Sequence, residues 1–155
     1  MKVLGENKRA RFDYAILETF QGGLSLTGHE VKSIKSGRIN LSGSYAVKRN
    51  GEIFIIGMDI PSFQPKNAPA DYSQERSRKV LLTKKEISYL LGKLESGLTL
   101  IPLRVYLSNR NLIKVELGLA KSKRKKDKRE ALKSKAIEKE TRQFLAKKIR
   151  GDDRL

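Results

Sequence analysis

The sequence predicts a mainly β domain: an antiparallel barrel of six short strands, closed or partly open, with two inserted helices and a basic C-terminal tail. Three observations predict it. Short segments alternate apolar with polar residues between Gly, Asn and Pro; two segments switch to helical spacing; and beyond Leu119 apolar residues thin out while positive charge concentrates. A chain of 155 residues suits one such domain (residues 1–119) plus an appendage (residues 120–155).

"FDYAILETFQGGLSL" is rich in aromatic and β-branched residues, and Gly22-Gly23 predicts a bend or bulge between two strands. Thr27 to Glu30 has capping-box spacing, Val31 and Ile34 lie three apart, and Gly37 stands where a helix would end, so Thr27 to Ser36 reads as a short helix. "INLSGSYAVKRNGEIFIIGMDIP" reads as a hairpin turning at Asn50-Gly51. Residues 62–78, polar and interrupted by proline, predict a long surface loop. A second capping box, Thr83 to Glu86, opens a helix with Ile87, Leu90, Leu91 and Leu94 on one face and Gly97 behind it. Two strands around a turn at Asn109 to Asn111 complete a barrel of the OB type.

The composition excludes several function classes. Without Cys and with His29 as its one histidine, the chain offers neither disulfides nor a zinc-type ligand cluster. No nucleophile and base pair stands out, and no glycine pattern forms a phosphate-binding loop, so neither enzyme chemistry nor a cofactor is expected. No stretch approaches the roughly 20 apolar residues of a membrane span, and a reducing cytoplasmic setting is expected.

The net charge of +17 calls for a polyanionic partner, with nucleic acid foremost. Residues 1–119 hold 19 basic and 11 acidic side chains, and residues 120–155 hold 15 and 6, so the tail is the denser in charge. Lys32, Lys35, Arg38, Arg78 and Lys79 together suggest a surface that tracks phosphates, while Phe12 and Phe144 sit beside basic residues where a ring can stack on a base. In the tail, seven of the nine residues from Lys121 to Arg129 are Lys or Arg. Composition leaves a targeting signal, a membrane-surface patch and an RNA-binding segment equally open for that run. Further on, Ile137, Thr141, Phe144 and Leu145 share one helical face, so a tail disordered when free could become helical on binding.

Three strings then point to one family. "NKRARFDYAILETFQGGLSLTGHEVKSIKSGRINLSGSY", "RSRKVLL" and "VELGLAKSKRKKDKRE", in this order between about Asn7 and Leu145, closely resemble the signatures of the SmpB family, the transfer-messenger RNA (tmRNA) binding proteins of bacterial ribosome rescue. The resemblance implies an OB-like barrel that holds the tRNA-like domain of tmRNA and carries it to stalled ribosomes. It also implies a monomer that meets alanyl-tmRNA together with elongation factor Tu, and a tail that turns helical in the empty mRNA channel of the small subunit.

By motif, Gln21, Gly22, Gly23, Glu30, Lys32, Lys35, Arg38, Asn40, Tyr45, Arg78, Lys79, Leu82 and Thr83 are expected at or beneath the tmRNA interface. Phe12, where relatives commonly carry His, is expected to contact the decoding centre, keeping a stacking ring but losing the ring nitrogens. Lys121, Lys123, Lys125, Lys126, Asp127, Lys128, Arg129, Ile137, Phe144 and Leu145 are the expected ribosome-binding tail residues. Two rival functions follow from composition alone: a nonspecific OB-type RNA binder and a structural ribosomal protein.

Overall fold

A computed structural model describes residues 1–64, 66, 72–123, 139 and 142. Among these, seven strands and three helices follow in the order β1 (Lys2–Glu6), α1 (Ala10–Asp13), β2 (Tyr14–Leu24), α2 (Gly28–Lys35), β3 (Tyr45–Arg49), β4 (Glu52–Ile56), β5 (Arg78–Leu81), α3 (Lys84–Glu95), β6 (Thr99–Leu107) and β7 (Ile113–Ser122). All strand pairs are antiparallel, and β6-β3-β4-β5-β2-β7 close into a ring of six through the β6–β7 pairing. Strand β1 lies outside the ring, paired with residues 104–107 of β6 beyond the point where Leu100 of β6 meets Ala46 of β3.

The ring therefore has the expected number of strands with a different membership. Gly22-Gly23 does not bend the chain, because β2 runs unbroken from Tyr14 to Leu24 and its irregularity falls earlier, between Ile16 and Glu18. The glycines are needed for close approach instead: a Cβ on Gly22 would stand 2.9 Å from both Leu82 Cδ2 and Val80 Cγ1. Strand β5, at the end of the stretch read as loop, supplies the missing member. Local signals set the other boundaries. Both capping boxes are formed, Gly37 and Gly97 follow α2 and α3 at φ +85° and +96°, and Asn50-Gly51 turns the β3–β4 hairpin at φ 53° and 75°.

The barrel interior holds Ile53, Ile55, Leu100, Val105, Val115, Leu117 and Leu119, joined by Ile34 of α2 and Leu90 of α3. A smaller cluster of Ala10, Ile101, Leu103 and Ala120 lies under α1. Alternation along β6 assigns Leu100 and Val105 to the first cluster and Ile101 and Leu103 to the second, with a register shift between Pro102 and Arg104 reconciling the odd spacing. Met1–Ser122 forms one compact unit. Pairing of β7 with β2 continues to Ser122, three residues past the break in composition at Leu119.

Candidate nucleic-acid interface

Helix α2 is built on one side from Glu30. Its carboxylate accepts from the Thr27 backbone N–H at 2.9 Å, closing the capping box, and also from Arg76 Nη2 and, at 2.7 Å, from Arg78 Nε. Arg78 is 0% exposed and Glu30 1%, and the arginine's remaining donors are taken by the carbonyls of Met58 and Gln74. Burial pushes the Glu30 carboxyl up, but hydrogen bonds from Arg76, Thr27 and Arg78 together with the Arg78 charge outweigh it, leaving the group below the usual carboxylate range. Both residues therefore lie beneath the surface, tying α2 to the start of β5 across 48 residues of sequence.

On its other side α2 presents Lys32 and Lys35 to solvent. Arg38, past the helix end, is exposed and its Nη1 donates to the carbonyls of Ser62 and Phe63 at 3.5 and 3.3 Å. The same two residues meet His29, whose Nε2 accepts from the Phe63 N–H at 3.2 Å and lies 2.8 Å from Ser62 Oγ. A ring contact between His29 and Tyr72 at 5.0 Å joins the far end of this loop to α2.

A groove of about 400 Å³ runs between α2, β2, the end of β5 and the β6–β7 turn. Lys35 and Lys114 line it beside Leu81 and Leu112, which are 51% and 53% exposed. Cations set around apolar side chains suit a polynucleotide backbone, giving charge for phosphates and apolar surface for sugars and base faces. Gly23 lines this groove, and Gly22 and Leu82 pack together close by. Gln21, opposite Glu116 in the sheet, donates to it at 3.0 Å and accepts from the Tyr106 hydroxyl; Arg104 reaches the same carboxylate at 3.0 Å.

The remaining expected residues are spread more widely. Lys79 on β5 pairs with Glu52 at 2.8 Å, and Thr83 spends its hydroxyl capping α3. Asn40 bridges to Asp59 through the backbone and accepts from the Ser42 N–H at 2.9 Å. Tyr45, at the start of β3, lines a different hollow of about 300 Å³ with Arg9 and Tyr14. Phe12 belongs to α1, with the Arg9 guanidinium 5.0 Å from its ring centre. Among the described residues no group of three or more His, Cys, Asp or Glu could hold a metal ion, and no helix is long and apolar enough to cross a membrane.

The SmpB protein family model matches residues 4–147. The chain belongs to the SmpB family. It is 44% identical over 146 residues to the SsrA-binding protein of Thermosipho melanesiensis, covering 94% of this chain and 99% of that one. It is 47% identical over 141 residues to the SsrA-binding protein of Thermosynechococcus vestitus, covering 90% and 92%. A solved chain from a structure described as "tmRNA-SmpB: a journey to the center of the bacterial ribosome" superposes with a TM-score of 0.66 at 43% identity, over 85% of this chain and 95% of that one.

In this chain, sequence patterns did not group Leu81, Leu112 and Lys114 as walls of one groove, nor pair Arg76 with Glu30. Lys114 lies in β7 and Leu112 just before it, two residues apart and so of one parity in the alternation, which was a usable signal. Nothing local marks Arg76 or Leu81, whose neighbours come from distant segments. Of the tail residues, Lys121 is placed in β7 opposite Ala15 and Lys123 follows the strand. Lys125, Lys126, Asp127, Lys128, Arg129, Ile137, Phe144 and Leu145 lie outside the described residues.

Proposed function

We propose that this protein is the tmRNA-binding adaptor of trans-translation: its barrel holds the tRNA-like domain of tmRNA, and its basic tail reads the empty mRNA channel of a stalled ribosome. The observation that carries the reading is the likeness, at 43% identity over 95% of the solved chain, to a protein described in a tmRNA-SmpB ribosome structure. Lys35 and Lys114 on the wall of a partly apolar groove, with Lys32 and Arg38 exposed on and just past α2, support shape and phosphate recognition of a folded RNA, which needs no catalysis. Alanyl-tmRNA would arrive together with elongation factor Tu.

The tail's role follows from its charge. Seven cations between Lys121 and Arg129 repel one another unless anions lie alongside, and a channel walled by RNA supplies them. Messenger RNA already in the channel would exclude the tail by overlap, so ordering is repaid only on an empty ribosome. Phe144 and Leu145 serve as the apolar anchor of that tail. Changing both to Asp is expected to leave binding to the tRNA-like domain within twofold and to abolish peptide tagging in a reconstituted translation reaction stalled on a truncated message. Persistent tagging by the double variant would remove the anchor assignment.

A further inference from the structure

We infer that the hollow between α1 and the turn leading into β3 receives one unpaired nucleotide, its base inserted between Tyr14 and Tyr45. The inference rests on the RNA-binding reading and adds to it a site that groove contacts along the barrel do not require. The hollow has a volume of about 300 Å³, at the small end of ligand sites, which suits one base with its sugar and not a stacked pair.

Its chemistry is arranged in layers. The floor is apolar, made by Ala10 and Ile101 at 3% and 1% exposure. Tyr14 and Tyr45 line it as well, and Tyr45 leaves 44% of its surface in solvent, ring area on which a base can stack. At the rim is Arg9, its side chain 71% exposed, positioned to meet a phosphate. Asp13, 3.7 Å from Arg9 Nε, adds a carboxylate able to accept from base N–H groups. Guanine presents two adjacent donors on one edge, whereas uracil flanks its single donor with two acceptors that a carboxylate repels; guanosine should therefore be preferred.

The walls are fixed before any ligand arrives. Ser44, 4% exposed, donates its hydroxyl to the Leu41 carbonyl, and Asn40 holds the Ser42 N–H, which sets the turn's own shape, while the backbone bridge from Asn40 to Asp59 ties its start to the segment after β4. Opposite it, the Asn7 side chain donates to the Pro102 carbonyl at 3.2 Å and its N–H to the Leu103 carbonyl at 2.8 Å, anchoring the entry to α1 on β6. A hollow set in this way loses little freedom when a base enters, which favours affinity.

The test is a titration of the isotope-labelled full chain, followed by amide chemical shifts, with guanosine 5′-monophosphate, uridine 5′-monophosphate and ribose 5-phosphate, beside a separate titration with the tRNA-like domain of tmRNA. The expected result is shifts confined to residues 10–14 and 42–45 with the guanosine nucleotide, weaker with uridine and absent with ribose phosphate. Tyr45→Ala should weaken that response roughly tenfold or more, and Asp13→Asn should level the two nucleotides while leaving the rest of the spectrum in place. Equal shifts from ribose phosphate would reduce the hollow to an anion contact at Arg9 and overturn the inference. Silence toward both nucleotides, with the tRNA-like domain still bound, would overturn it and leave the proposed function standing. Silence toward the nucleotides and the tRNA-like domain would overturn both.

Discussion

Glu30→Gln is the sharpest single perturbation of the scaffold that carries the interface. The carboxylate is almost wholly buried, faces the fully buried Arg78 at 2.6 Å, and receives Arg76 and the Thr27 N–H on its other oxygen. Neutralising it leaves the Arg78 charge in the interior facing neutral acceptors, the carbonyls of Met58 and Gln74 and the new amide oxygen. Removing one partner of such a pair costs about 3–5 kcal/mol. Arg76, with 39% of its side chain exposed, loses much less because solvent already screens it. At roughly 3–5 °C per kcal/mol for a domain of this size, the variant should melt about 10–20 °C lower at neutral pH. Calorimetry or circular dichroism reads this directly. Replacing both partners by apolar residues, Glu30→Leu with Arg78→Met, should recover part of the loss. A fall of less than about 3 °C for Glu30→Gln would refute the view that this pair locks α2 to β5.

Three further outcomes are expected. Because the folded-state affinity of Glu30 for a proton is lowered from its ordinary 4.5, its stabilisation is complete above that pH and disappears as pH falls through the folded value; urea midpoints should drop more steeply below pH 4.5 for the parent than for Glu30→Gln. Gly22→Ala sets a methyl 2.9 Å from Val80 and Leu82 side chains and 3.2 Å from the Leu81 carbonyl, and should lower stability by about 1–3 kcal/mol in chemical denaturation while shifting amides around Leu82. Lys35→Ala with Lys114→Ala should reduce the slope of log K against log salt for RNA by up to about 0.7–0.9 per lost phosphate contact, with Lys48→Ala, away from the groove on β3, as the control that leaves it unchanged.

Elements with local signals were legible in the sequence. Thr27–Glu30 and Thr83–Glu86 close their capping boxes within one helical turn, and Asn50-Gly51 makes a turn from its own backbone preferences. Features that depend on partners far along the chain were not. Gly22 reads as a breaker because its lack of a side chain serves packing against β5, which appears only once residues 80–82 are beside it. Strands β1 and β5 are four or five residues long and take their structure from β6, β2 and β4. Arg78 looks like any surface cation in sequence, yet its partner stands 48 residues earlier and buries it. The motif resemblance expected Glu30 and Arg78 at or beneath the interface, and both are buried.

The measurement that tests the central claim most directly is binding of the full chain and of a residues 1–122 truncation to the tRNA-like domain of tmRNA, an ordinary tRNA and an unstructured RNA across a salt series. Truncation after Ser122 keeps β7 whole. The account predicts that both proteins prefer the tRNA-like domain at moderate salt, and that loss of the tail lowers the salt slope for all three RNAs without erasing the preference. Equal affinity for all three, or a preference that disappears with the tail, would contradict it.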